Sequence, residues 1–128
     1  MLELNRISAG YGKQTVLDGI SVDFEKGKLT SIIGVNGCGK STLLKAILGI
    51  LSLSNGEIFI DGENLLTISR NEIAKKIAYL SQGKNIPDMT VEQMVLHGRF
   101  PYLSYPRRYS SHDREVAIKA MEIVGVAE

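Results

Sequence analysis

The chain's 128 residues are 44% apolar and 23% charged, a balance that suits one globular domain, or a piece of one, and excludes a disordered tail. Lys and Arg total 15 against 14 for Asp and Glu, and the resulting charge of +1 excludes the basic excess expected of a dedicated nucleic-acid binder. One cysteine, Cys38, cannot form an intrachain disulfide, no Cys/His spacing suits a metal, and no apolar run nears the ~18 residues of a bilayer span. The start Met1-Leu2-Glu3-Leu4-Asn5 lacks the basic and apolar blocks of a signal peptide, so a reducing, cytoplasmic setting is expected.

Along the chain, Leu2 to Ser8 alternates loosely in polarity and Thr15 to Phe24 alternates better, which predicts two strands joined by the turn Ala9-Gly10-Tyr11-Gly12-Lys13. Leu29 to Ile33 has the apolar character of a buried strand and runs into the glycine-rich segment Gly34 to Gly39. Lys40 to Ile50 carries apolar residues at helical spacing, with Gly49 marking the end. Gly56 to Ile60 predicts a strand that stops at the turn pair Asp61-Gly62, and Ile77 to Leu80 predicts another strand. Capping-box patterns at Ser69/Glu72, Thr90/Gln93 and Ser110/Asp113 predict three helix starts. In the last of these helices Val116, Ala117, Ala120, Met121 and Val124 form an apolar stripe. The order predicts an α/β chain with a helical part, and its stop at Glu128, just past a helix and without a tail, is expected of a truncated chain.

The sharpest signal is Gly34-Val35-Asn36-Gly37-Cys38-Gly39-Lys40-Ser41-Thr42, which matches G-x-x-x-x-G-K-[ST] between a predicted strand and a predicted helix. Glycines reach positive φ and let main-chain N–H groups converge on an anion, and the helix start adds unpaired N–H groups and a positive dipole end. Lys40 supplies a compact cation for the β- and γ-phosphates and Ser41 a hydroxyl for Mg²⁺. Gly34, Asn36, Gly37, Cys38, Gly39, Lys40, Ser41 and Thr42 are therefore the expected nucleotide-binding residues. Cys38 is either a small side chain tolerated between glycines or a thiol made reactive by the helix start and Lys40.

With Tyr11 before this loop, Gly56-Glu57-Ile58 and Asp61-Gly62 after its helix, and Tyr79-Leu80-Ser81-Gln82 closing a strand, the chain resembles the ATP-binding subunit of an ABC transporter from Leu4 to Val126. The resemblance implies a phosphate-loop NTPase fold made of an antiparallel β layer and a partial parallel core sheet over about residues 1–83, then a helical subdomain over about 84–128. It implies that Tyr11 stacks on adenine, and that Gln82 serves Mg²⁺ or the attacking water and moves with a membrane partner. The cofactors implied are ATP and Mg²⁺, and the partners are a transmembrane permease and a second ATP-binding subunit, placing the protein on the inner face of the membrane. Asp88 to Val91 and His97-Gly98-Arg99-Phe100-Pro101-Tyr102 resemble the subset that imports iron–siderophore complexes, haem or cobalamin. Val35 departs from the proline of many relatives, at a position where only the backbone is needed.

A complete engine of this kind also needs an Asp-ended strand followed by a catalytic Glu, an L-S-G-G-Q signature and a switch histidine. Ile58-Phe59-Ile60-Asp61 imitates the first but continues into Gly62, and His97 and His112 sit within or before helices. These 128 residues are therefore expected to be hydrolytically inactive by themselves. The cluster Arg99, Phe100, Tyr102, Tyr105, Arg107, Arg108 and Tyr109 is open to two readings, a nucleic-acid stacking surface or a surface loop of the helical subdomain, which the resemblance places near the permease. Two other functions compete: a soluble ABC-type ATPase acting on nucleic acid or ribosomes, and a small-molecule kinase.

Overall fold

A computed structural model describes residues 1–83 and 88–127, which divide into two compact units, Met1–Ile77 and Ala78–Glu128. The division expected near residue 84 lies outside the described residues.

The first unit contains an antiparallel four-stranded sheet in the order β2-β1-β3-β4, from β1 (Leu2–Tyr11), β2 (Gln14–Phe24), β3 (Leu53–Ile60) and β4 (Glu63–Asn64). Helices α1 (Lys40–Ile47) and α2 (Arg70–Lys76) complete it. Leu4, Ile7, Ala9, Leu17, Ile58 and Ile60 of the sheet bury against Ala46 and Ile47 of α1 and Ile73 of α2. The polarity of β1 alternates only loosely because the strand carries one extra residue: its register slips between Leu4 and Ile7 against β2 and between Asn5 and Ser8 against β3, with Arg6 at φ 46°. The bulge lets Leu4 and Ile7, an odd number of residues apart, point into one core. Gly56 lies opposite, so near that a β-carbon there would stand 2.3 Å from the Arg6 carbonyl oxygen.

The antiparallel layer matches expectation, and so does the turn at Asp61-Gly62, where both residues have positive φ. The two predicted core strands do not. Leu29–Ile33 and Ile77–Leu80 carry no strand pairing, and Leu29, Ile33 and Leu80 are 98%, 93% and 95% exposed. A parallel strand needs a neighbour for its backbone groups and a cover on each face, and among the described residues neither run has a ladder partner.

In the second unit, α3 (Val91–His97) and α4 (Ser111–Val124) pack together with a 3₁₀ turn (Phe100–Tyr102) between them. Both helices start in full capping boxes, at Thr90/Gln93 and Ser110/Asp113. The α4 stripe is narrower than predicted. Asp113, Ala117 and Met121 are buried, whereas Ala120 and Val124 are exposed, because the short α3 covers a single i, i+4, i+8 seam.

Asp113 does more than cap. One carboxylate oxygen accepts from the Ser110 N–H at 2.9 Å and from its hydroxyl at 2.7 Å, and the other accepts from Arg99 Nε at 2.9 Å. The Ser110 backbone bond, then its hydroxyl, then Arg99 lower the Asp113 pKa from 3.8 to about 2. A carboxyl depressed by folding stabilises the folded state fully above its unfolded pKa, and that contribution vanishes as pH falls through the folded value. Thermal unfolding followed against pH is therefore expected to show the second unit losing stability from pH 3.8 down to about 2. In Asp113→Asn this acid limb should flatten, and an unchanged limb would contradict the assignment. Arg99 also lies over the Tyr102 ring at 4.1 Å and Arg107 over Phe100 at 4.6 Å. Those cations and ring faces are engaged with one another, which favours the surface-loop reading over a base-stacking platform.

Candidate phosphate-binding site

The sheet positions the loop through one close approach. Gly39 has φ 98°, and a β-carbon there would stand 3.2 Å from Leu17 Cδ2 and 3.3 Å from Val16 Cγ1, so the loop's last glycine is pressed against β2. Gly37 also has positive φ, at 83°. Between them these residues turn the chain from loop into α1, whose first residue is Lys40. The first α-helical bond from the loop into α1 runs from the Leu43 N–H to the Gly39 carbonyl at 2.9 Å. Geometry leaves the first-turn amides before it, those of Lys40, Ser41 and Thr42, for an outside acceptor, and Gly39 offers no side-chain cap to take them. Such an N-terminus, with its positive dipole end, suits an anion.

The Lys40 ammonium donates to the carbonyls of Gly34 and Val35, each at 2.7 Å, and lies 3.7 Å from Cys38 Sγ. It bridges the two ends of the loop. Asn36 and Ser41 are exposed, and the Ser41 hydroxyl is a single hard oxygen donor. Among the described residues no group of three or more His, Cys, Asp or Glu could hold a metal. A magnesium ion here would take Ser41 together with phosphate and water oxygens, the donor set that this small cation prefers. The donors present fit a magnesium–triphosphate.

Thr42 is 7% exposed and lies beside Tyr11. Tyr11 ends β1, 48% exposed, with the Lys45 ammonium 3.4 Å from its hydroxyl. The neighbouring Thr42 hydroxyl first, and Lys45 second, draw the phenol below its usual range. Tyr11, the glycine loop, Lys40, Ser41 and Thr42 are thus brought together in the first unit. Gln82 belongs to the second unit, exposed, at the middle of a tight turn closed by the Gly83 N–H to the Ser81 carbonyl at 3.0 Å. Lys45 was not among the expected site residues. Its position, three residues beyond Thr42 on the same helix face, is the signal that finds it.

Cys38 is exposed, and its sulfur stands 2.7 Å from where a β-carbon on Gly34 would be. Any adduct on this thiol intrudes into the loop. Alkylation is expected to abolish nucleotide binding, with ATP slowing the labelling, and equal labelling rates with and without ATP would contradict this placement.

The ABC transporter family matches residues 17–128. The ferric enterobactin transport ATP-binding protein FepC of Escherichia coli is 37% identical over 122 residues, covering 94% of this chain and 45% of that protein. The petrobactin import ATP-binding protein FpuD of Bacillus anthracis is 35% identical over 128 residues, covering 99% and 47%. The chain thus spans about half the length of the curated relatives it matches. Among solved structures, a nucleotide-free ATP-binding cassette from an ABC transporter superposes with a TM-score of 0.83 at 25% identity, covering 99% of this chain and 55% of that one.

Proposed function

This chain belongs to the ABC transporter family, and from that membership we propose that it is the nucleotide-holding part of an ATP-binding subunit that drives uptake of an iron–siderophore complex. The observation that carries the reading is the convergence, in one unit, of two positive-φ glycines, the open start of α1 and the Lys40 ammonium. In this reading the loop from Gly34 to Gly39, with the amides of Lys40, Ser41 and Thr42, holds the phosphates. Lys40 neutralises the β- and γ-phosphates, Ser41 and Gln82 serve Mg²⁺, and Tyr11 carries the base. Bound Mg²⁺ would supply charge neutralisation at the phosphate tail. Haem and cobalamin are the alternative cargoes, and the siderophore names of FepC and FpuD favour the first.

Hydrolysis belongs to the full-length subunit, because orienting the attacking water needs a carboxylate that these residues do not offer at the loop. The partners are a transmembrane permease and a second ATP-binding subunit, with the protein held at the cytoplasmic face of the membrane. The soluble, nucleic-acid-directed alternative is disfavoured by the near-neutral charge and by the arginine–aromatic pairing of the second unit. Uptake of a labelled ferric siderophore by cells carrying the full-length gene tests the reading. Deletion should abolish uptake and Lys40→Ala should fail to restore it. Normal ferric-siderophore uptake after deletion, with haem or cobalamin uptake lost, would reassign the cargo.

A further inference from the structure

We propose that Lys45 is a positioning residue for the base of the bound nucleotide: it tethers the phenol oxygen of Tyr11 and fixes the ring on α1. The inference rests on the reading of Tyr11 as the base-stacking residue and adds what holds that residue in place.

Tyr11 is the last residue of β1, next to a turn in which Gly12 has positive φ, and its ring is half exposed. A tyrosine so placed would sample several rotamers and present its face to a base only part of the time. Its far end is instead held from one neighbouring helix. Lys45, on α1, donates from Nζ to the Tyr11 hydroxyl at 3.4 Å. The ammonium is 5.6 Å from the ring centre, much farther than from the oxygen. It therefore sits off the hydroxyl end of the ring and leaves the ring centre clear for stacking.

The consequence is geometric. The tethering residue sits on the same helix whose start forms the phosphate cradle, and Lys40 and Lys45 are separated by about 7.5 Å of helical rise. A nucleotide bridging cradle and ring then meets a spacing set by one rigid element. The ordering of Tyr11 is complete before the ligand arrives, and that raises affinity by pre-organisation.

ATP titrations of the protein carrying Lys45→Gln, Tyr11→Phe, both together, Tyr11→Ala and Lys45→Arg test this. Tyr11→Phe keeps the stacking face and removes the tethered oxygen. Lys45→Gln and Tyr11→Phe are each expected to weaken ATP about fivefold, and the double variant by the same factor, since each removes the same Lys45–Tyr11 bond. Lys45→Arg should restore affinity, and inorganic tripolyphosphate, which has no base, should lose less than about twofold because Lys45 is exposed and screened. The Tyr11 phenol, followed by ultraviolet titration, should ionise at higher pH in Lys45→Gln than in the parent. The proposal is overturned if Lys45→Gln binds ATP normally, if the two losses multiply, or if tripolyphosphate weakens as much as ATP. Unchanged affinity in Tyr11→Ala would instead remove the stacking reading itself, and the tether's role with it.

Discussion

Replacing Lys40 with alanine is expected to weaken ATP binding by about tenfold to a hundredfold, the equivalent of one charge-assisted hydrogen bond to phosphate, while the first unit stays folded. The two outcomes separate because the ammonium has two different surroundings to serve. Toward the protein it bridges the carbonyls of Gly34 and Val35 on an exposed loop. Water can take over both acceptors, so losing the bridge costs little stability. Toward a triphosphate it is the cation that the loop itself carries, and the loop's amides do not replace a full charge. Lys40→Arg should not rescue binding, since a planar guanidinium cannot occupy the place of a compact ammonium between two carbonyls. Calorimetric titration with ATP, paired with a circular-dichroism melt, reads both quantities. Unchanged ATP affinity in Lys40→Ala would contradict the role given to this residue.

Gly56→Ala is expected to destabilise the first unit by about 2–4 kcal/mol, through backbone strain and steric overlap together. Gly56 has φ 83°, which an alanine adopts only under strain, and its β-carbon would fall 2.3 Å from the Arg6 carbonyl oxygen and 2.5 Å from its carbon. Neither neighbour is the end of a flexible side chain. The bulge at Arg6 would have to shift, and with it the register that sends Leu4 and Ile7 into one core. Gly62→Ala is the control. Gly62 has nearly the same φ, 81°, but nothing within 4 Å of the added carbon. It should cost only about 1–2 kcal/mol, the strain alone. Equal melting temperatures for the two variants would show that the crowding at Arg6 is relieved without cost.

What the amino-acid sequence disclosed depended on how local the determinant was. The capping boxes of α3 and α4 and the Asp61-Gly62 turn rest on residues within four positions of each other, and all were legible. The loop-to-helix passage at Gly39-Lys40 was legible for the same reason. The bulge was visible only as imperfect alternation from Leu2 to Ser8, because the glycine packed against it lies about fifty positions away in another strand. The strands expected at Leu29–Ile33 and Ile77–Leu80 had the right apolar character. Strand formation, however, is a property of pairs, and the described residues supply no partner. The pairing of Arg99 with Asp113 stayed hidden behind the capping pattern, which explains one carboxylate oxygen and says nothing of the other. Tyr11 was singled out by the resemblance to the family, whereas Lys45, which reaches its hydroxyl, carried no such signal.

If the main-chain amides at the start of α1, together with Lys40, receive the phosphate tail of ATP, nucleotide binding must change their surroundings. Backbone amide chemical shifts recorded as magnesium–ATP is added to the ¹⁵N-labelled protein test it most directly. The largest shifts are expected on Gly37, Gly39, Lys40, Ser41 and Thr42, and tripolyphosphate should reproduce them without moving Tyr11. Shifts confined to other parts of the chain, with the Gly34–Thr42 amides unmoved at saturating nucleotide, would contradict it.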